Sequence, residues 1–205
     1  MKRLESTLNL SIFMSFVIFL FIVGNGNAQD PDYYKYEQQD KELIRNHPDI
    51  IIWNVKALLP SGILLNVKAI DKNGNMHPVK AIQDFEQTQL LDFKAFVNGI
   101  LLPIKLLLKE NNKYYPLKAI HTDGTLLDIK AITAKGEQID IKGVRQSGNI
   151  IHIEAILNDG DFYNIIAISP QGEMNLVKGI KMYKDSVETT VNGVKIFAHV
   201  KAIRQ

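Results

Sequence analysis

The chain has 205 residues, no cysteine, one tryptophan, and 24 basic side chains against 22 acidic ones. This near-neutral balance excludes a strongly cationic nucleic-acid binder and an acidic tail protein, so no nucleic-acid partner is expected. The lack of cysteine excludes disulfides, thiol catalysis, sulfur-based zinc sites and a cysteine-linked lipid anchor.

In chain order, the first predicted element is a leader. Lys2 and Arg3 precede an uncharged stretch, residues 6–29, which contains the apolar run Ile12–Val23 and reaches Gly26-Asn27-Ala28. A basic start, a short apolar core and small residues before a cut describe a secretory signal peptide cleaved after Ala28. Its strongly apolar part is nearer ~13 residues than the ~20 a spanning helix needs, so no stable membrane span is expected after cleavage. The expected mature protein is exported to the periplasm, the cell surface or the medium. It runs from Gln29 to Gln205, 177 residues with net charge +1. A chain of that size buries about 70% of its unfolded surface, enough for a single domain without staples. Residues 29–49 are polar, Tyr-rich and bounded by Pro31 and Pro48. They read as an N-terminal arm with a turn of helix near Lys41–Arg45.

From residue 50 to 205 the chain repeats. Val55-Lys56-Ala57-Leu58, Val67-Lys68-Ala69-Ile70 and Val79-Lys80-Ala81-Ile82 are followed by Phe93-Lys94-Ala95-Phe96, Ile104-Lys105 and Leu117-Lys118-Ala119-Ile120. Ile129-Lys130-Ala131-Ile132, Ile141-Lys142-Gly143-Val144, Ile153-Glu154-Ala155-Ile156 and Ile165-Ile166-Ala167-Ile168 continue it, then Val177-Lys178-Gly179-Ile180 and Val200-Lys201-Ala202-Ile203. The step is mostly 12 residues. That is too short for a helix plus a strand, and the alternating β-branched run ending at a Gly reads as strand and tight turn. The spacing predicts an all-β protein, an antiparallel up-and-down meander of 11–13 short strands closed as a barrel or a sandwich. Strands of this length, without aromatic girdles, argue against an outer-membrane barrel.

Most steps place Gly last in a three-residue loop, as in Ala134-Lys135-Gly136 and Gln146-Ser147-Gly148, whereas Asn98-Gly99 marks a two-residue turn. Loop length then fixes the register. A hairpin centred on Lys135 pairs Lys130 with Asp140 and Asp128 with Lys142. One centred on Ser147 pairs Lys142 with His152 and Asp140 with Glu154. The Asn98-Gly99 turn pairs Asp92 with Lys105. One face then sets small residues against large ones, Ala131 against Ile139 and Ala155 against Tyr163, as packed cores do. The other face carries the Lys and Asp/Asn row.

The whole pattern resembles that of secreted VKAI-repeat proteins of unknown function, over about three quarters of the chain. The resemblance implies export and an all-β fold and brings no catalytic residues. Lys181–Thr190 departs from the repeat, which leaves the strand count there open.

Candidate chemistry lies on the polar face. Lys118, Lys130 and Lys142, with the rest of the lysine row, are candidates for binding an anionic ligand such as an acidic glycan or an envelope protein; the ordinary reading is a solvated sheet face that resists edge aggregation. Asp140, His152 and Glu154 are candidates for acid–base catalysis, against the ordinary reading that the repeat places polar residues there anyway. Asp71-Lys72-Asn73-Gly74-Asn75 and Asn158-Asp159-Gly160-Asp161 resemble calcium-loop fragments but lack the 12-residue ligand spacing and read as turns. No metal site and no cofactor motif is found. Of the aromatics, Tyr114 and Tyr115 alternate across the sheet, as do Phe162 and Tyr163, so at most half can share a face. A uniform repeat builds surfaces, so the expected function is a non-enzymatic binding or envelope-structural role. The alternative is a small envelope hydrolase acting on polysaccharide or ester substrates.

Overall fold

The computed structural model describes residues 33–46, 48–84, 89–109, 113–157 and 160–204. The expected leader and its cleavage site lie outside these residues. Among the described residues, one helix, α1 (Tyr33–Asn46), precedes thirteen strands. It extends the single helical turn expected near Lys41–Arg45 back to Tyr33 and stops two residues short of Pro48, whose ring disfavours helix in the residue before it. Leu43 of α1 is 2% exposed and packs on Ile82 and Phe96, outward-facing residues of the sheet.

The strands are β1 (Ile50–Leu58), β2 (Leu64–Ile70), β3 (Met76–Asp84), β4 (Leu90–Val97), β5 (Ile100–Leu107), β6 (Tyr115–Ile120) and β7 (Leu126–Ile132). They continue as β8 (Gln138–Ser147), β9 (Ile150–Ile156), β10 (Phe162–Ile168), β11 (Met174–Ile180), β12 (Thr189–Val191) and β13 (Val194–Ile203). All join one antiparallel sheet, as the repeat predicts. Six tight turns have the expected three-residue form. At Lys135, for example, Thr133 N donates to Glu137 O (3.0 Å) and Gly136 N to Thr133 O (2.9 Å). Gly136, with φ 82°, supplies the left-handed residue that returns the chain.

The hairpins hold their expected register for a few pairs and then open. Lys130 stands across from Asp140 and Ala131 from Ile139, but the β7–β8 ladder ends there. Asp128 faces Lys118 on β6 instead of Lys142, and Lys142 faces Pro116. Likewise β4 and β5 part after Lys94–Pro103, so Asp92 meets Lys201 of β13 and not Lys105. In each case a third strand enters the gap and takes the freed hydrogen bonds, so three strands close a corner. The corners are β1-β2-β3, β4-β5-β13, β6-β7-β8 and β9-β10-β11.

Each corner is joined to each other corner by one pair of strands. These six seams are β1–β10, β2–β7, β3–β4, β5–β6, β8–β9 and β11–β13. The pairing diagram is that of a tetrahedron with its corners cut off. It closes the sheet more completely than the barrel or sandwich the meander suggests. Each of the twelve longer strands pairs with three others of the twelve, and the short β12 adds a hairpin as a fourth partner of β13.

The seams also correct the hairpin expected at Ser147. There β8 and β9 turn through Gly148-Asn149, with Ser147 across from Ile150 and a bulge between Gly143 and Arg145. Lys142 therefore faces Glu154, Asp140 faces Ile156, and His152 faces Arg145. At every seam the same repeat position meets itself: Lys56–Ile166, Lys68–Lys130, Lys80–Lys94, Lys105–Lys118, Lys142–Glu154 and Lys178–Lys201. Flanking residues point inward, large against small, as Val67 with Ala131 and Ala69 with Ile129. These inward positions form one continuous core.

Leu106 breaks the small-residue rule, standing where the repeat has Ala. Two other sites compensate. A Cβ on Gly143 would meet Leu106 Cδ2 at 3.2 Å and Ile151 Cγ2 at 2.9 Å, and one on Gly179 would collide with Leu106 Cδ1. Gly179→Ala should therefore cost about 1–3 kcal/mol by overpacking, and Leu106→Ala about 2–5 kcal/mol by leaving a cavity. Denaturant unfolding of the double variant should show a loss smaller than the sum by about 1 kcal/mol or more; strict additivity would mean the contact is not shared.

Candidate functional site

The corner of β6, β7 and β8 opens into a pocket of about 390 Å³. Each strand contributes the same three repeat positions: Pro116-Leu117-Lys118, Asp128-Ile129-Lys130 and Asp140-Ile141-Lys142. The alternation of strand side chains explains the division of labour. Leu117, Ile129 and Ile141 are buried toward the core, while the lysines and aspartates are half-buried at the opening. Lys113 and Tyr114, just before β6, complete the wall.

Around the opening, two of the three lysines reach toward the polar position of the next strand. Lys118 Nζ donates to Asp128 Oδ1 and Lys130 Nζ to Asp140 Oδ1. The cross-strand neighbour of Lys142 is Pro116, which has no carboxylate, and Lys142 Nζ turns back to Asp140 Oδ2 on its own strand at 2.6 Å. Three lysines thus share two aspartates, and Lys113 adds a further cation. Burial pushes the Asp140 carboxyl up, but hydrogen bonds from Lys130 and Lys142 outweigh it and hold the group below its ordinary range. The arrangement can hold an anion at the opening and cannot readily supply a proton from Asp140.

Pro116 fits here because its nitrogen sits at the end of a ladder, where no donor is required. Pro78 and Pro103 end ladders at two other corners in the same way. Those corners carry different chemistry. At β4-β5-β13, Asp92 accepts from Lys201 and lies 3.3 Å from Lys94, and Lys105 Nζ is 2.9 Å from His199 Nδ1. Lys105 is pushed down to about 8 by burial and by the charges of Lys94 and Lys201. At β1-β2-β3, Lys56 donates to Asn66 and Lys80 to Asn54. At β9-β10-β11 the lysine positions hold Glu154, Ile166 and Lys178.

The structure thus gathers Lys118, Lys130, Lys142 and Asp140 at one opening. His152 and Glu154 belong to the β9-β10-β11 corner and do not line that pocket. His152 Nδ1 lies 3.3 Å from Lys178 Nζ, and burial with the charges of Lys178 and Arg145 lowers its pKa. Sequence reasoning missed Pro116 and Lys113, and named Tyr114 among the aromatics without placing it beside the lysines. Aligning the position two before each repeat lysine shows Pro78, Pro103 and Pro116 where Asp92, Asp128 and Asp140 stand on other strands, but not that Pro116 shares a corner with Asp128 and Asp140. The aromatics alternate as expected: Tyr115 stacks on Phe197 in the core (4.1 Å), whereas Tyr114 meets Phe162 edge-on outside (6.2 Å). The Asp71 loop is a turn held by its own carboxylate, which accepts from the backbone N–H of Asn73 and Asn75 at 2.8 and 2.9 Å. Among the described residues there is no group of three or more His, Asp or Glu placed to hold a metal ion, and no helix long and apolar enough to cross a membrane.

Fold and corner together define a closed antiparallel β-repeat domain with a lysine-lined pocket. The chain belongs to DUF7486, a family of unknown function, which it matches over residues 49–203. No curated protein and no solved structure matches it.

The direction of these shifts predicts two steps of acid weakening. Burial, with the charges of Lys105 and Lys201, lowers the His199 pKa below 6.5. The unfolded chain then takes up protons first, so stability falls as pH drops below 6.5 toward the folded value. Asp92 and Asp140 are held below 3.8, so their contribution is present above that pH and is lost as pH falls through their folded values. In urea denaturation from pH 8 to 2, Asp140→Asn should leave the upper step unchanged and flatten the lower one. An unchanged lower step would show that the lysine contacts do not hold Asp140 ionised.

Proposed function

We propose that this is an exported, non-enzymatic β-repeat protein that binds an anionic ligand at the β6-β7-β8 corner and serves a binding or structural role in the cell envelope. The observation that carries the reading is the convergence of Lys118, Lys130 and Lys142 on one pocket with two aspartates between them. Export is supported by the leader-like first 28 residues and by the resemblance of the repeat to secreted VKAI-repeat proteins. The pocket lies within the 300–1,000 Å³ range of small-ligand sites. Partial desolvation of the lysine stems strengthens their attraction for an anion relative to a fully hydrated surface row.

The non-enzymatic reading rests on where the acid–base candidates lie. Asp140 is engaged by two lysines, His152 sits beside Lys178 near the neighbouring corner, and Glu154 faces Lys142 across a seam. A general acid or base must reach one reacting atom, and these three are committed to different partners.

Calorimetry on the mature chain from Gln29, titrated with acidic and neutral glycans at low ionic strength, tests the reading. Acidic glycans should bind one per chain, and Lys130→Met with Lys142→Met should weaken binding tenfold or more, about 1.4 kcal/mol. Equal binding of neutral glycans, or cleavage of an ester or polysaccharide that Asp140→Asn or His152→Ala abolishes while the fold survives, would overturn it.

A further inference from the structure

The threefold pattern of the β6-β7-β8 corner lacks one member. Around it, Lys118 is matched by Asp128 and Lys130 by Asp140, each from the next strand. The third lysine, Lys142, is matched by Pro116. The repeat accepts a carboxylate at that position, since Asp92, Asp128 and Asp140 occupy it on other strands. We infer that the absent carboxylate is supplied by the ligand: a molecule of mono- to disaccharide size places a single carboxylate or phosphate over Pro116, where Lys142 and Lys113 hold it. This rests on the reading that the corner is a binding site and names the chemistry it takes.

Three features support this placement. Lys142 shares Asp140 with Lys130, so an incoming oxyanion gives each lysine its own acceptor and completes an alternating ring. Charge-assisted hydrogen bonds of this kind are the stronger ones, and the half-buried rim limits competition from water. The charges facing the ring across the seams are Lys105 opposite Lys118, Lys68 opposite Lys130 and Glu154 opposite Lys142. Two cations and one carboxylate leave the surroundings positive overall. Glu154 lies on the Lys142 side, which limits the site to one anionic group and disfavours a polyanion threading the corner.

The third feature is apolar. Pro116 forms part of the wall, and Tyr114 stands beside it with Phe162 edge-on at 6.2 Å and Lys113 Nζ 5.1 Å from its ring centroid. A pyranose ring bearing the anion can pack on this side while its charged group faces Lys142. A bare inorganic ion would leave most of the 390 Å³ unfilled.

Substituting the missing carboxylate tests the inference directly. Pro116→Asp gives Lys142 an internal partner and should block the site, whereas Pro116→Asn, the residue type that Asn54 and Asn66 place at the equivalent position, should not. Calorimetry with glucuronate, glucose 6-phosphate and glucose should show the wild-type chain binding one or both anionic sugars and not glucose. Pro116→Asp should lose tenfold or more in affinity, and Pro116→Asn should stay within about threefold. The first two sugars separate a carboxylate ligand from a phosphate one. Should Pro116→Asp not fold, NMR of the wild-type chain decides: the Lys142 side-chain Cε resonance should move on titration, while that of Lys72 in an exposed turn should not. Binding by wild type that Lys130→Met abolishes but Pro116→Asp leaves intact, or a titration that leaves Lys142 unmoved, would overturn the inference and spare the binding reading. No binding of either anionic sugar would overturn both.

Discussion

A three-partner rule for strands governs this molecule. Each hairpin within a corner opens after three or four residue pairs, and the backbone groups so released must find partners, because an unpaired buried amide costs about as much as a lost hydrogen bond. The third strand of a corner supplies them. Repeated at four corners, the rule leaves each of the twelve long strands bonded to three others of the twelve, so the sheet closes on itself. Closure removes the exposed edges that make β-repeat proteins prone to aggregation. It also ties the sheet together without disulfides in a cysteine-free chain.

The same rule explains why the repeat has its composition. A seam brings equivalent positions of two strands face to face, so a large residue before the lysine meets the small residue after the partner lysine, and the reverse. Ala and Gly on the inner face are therefore packing requirements. Where Leu106 intrudes, Gly143 and Gly179 give way. On the outer face the rule sets lysine against lysine at four seams, an arrangement that is unfavourable by itself. The side chains avoid the repulsion by reaching toward their own corners, as Lys118 and Lys130 do toward Asp128 and Asp140. Charge is thereby concentrated at corners and not spread along the sheet, which turns a solvated lysine row into a lined pocket.

Much of this was legible in the sequence. The strand-and-turn repeat, most of the turn types and the Lys130–Asp140 and Ala131–Ile139 pairs follow from loop length, because those contacts are local, whereas the loop expected at Ser147 is a two-residue turn at Gly148-Asn149. The pairs expected farther from the turns, Asp128 with Lys142 and Asp92 with Lys105, did not form, because no hairpin argument contains the third strand. Seams such as β2–β7 join strands about sixty residues apart whose repeat units are nearly interchangeable, so the sequence does not say which strand pairs with which. The pocket was half visible for the same reason. Lys118, Lys130 and Lys142 stood out as a row, and Pro116 became meaningful once its strand was seen to share a corner with those of Asp128 and Asp140.

Cross-strand backbone NOEs in a deuterated sample test the closed pairing most directly. The account predicts contacts across the long-range seams, between Lys68 and Lys130, Lys56 and Ile166, and Lys178 and Lys201, together with Asp128–Lys118 contacts within the corner. Contacts confined to sequential hairpins, with Asp128 across from Lys142 and no signal between β2 and β7, would describe a simple meander and contradict it.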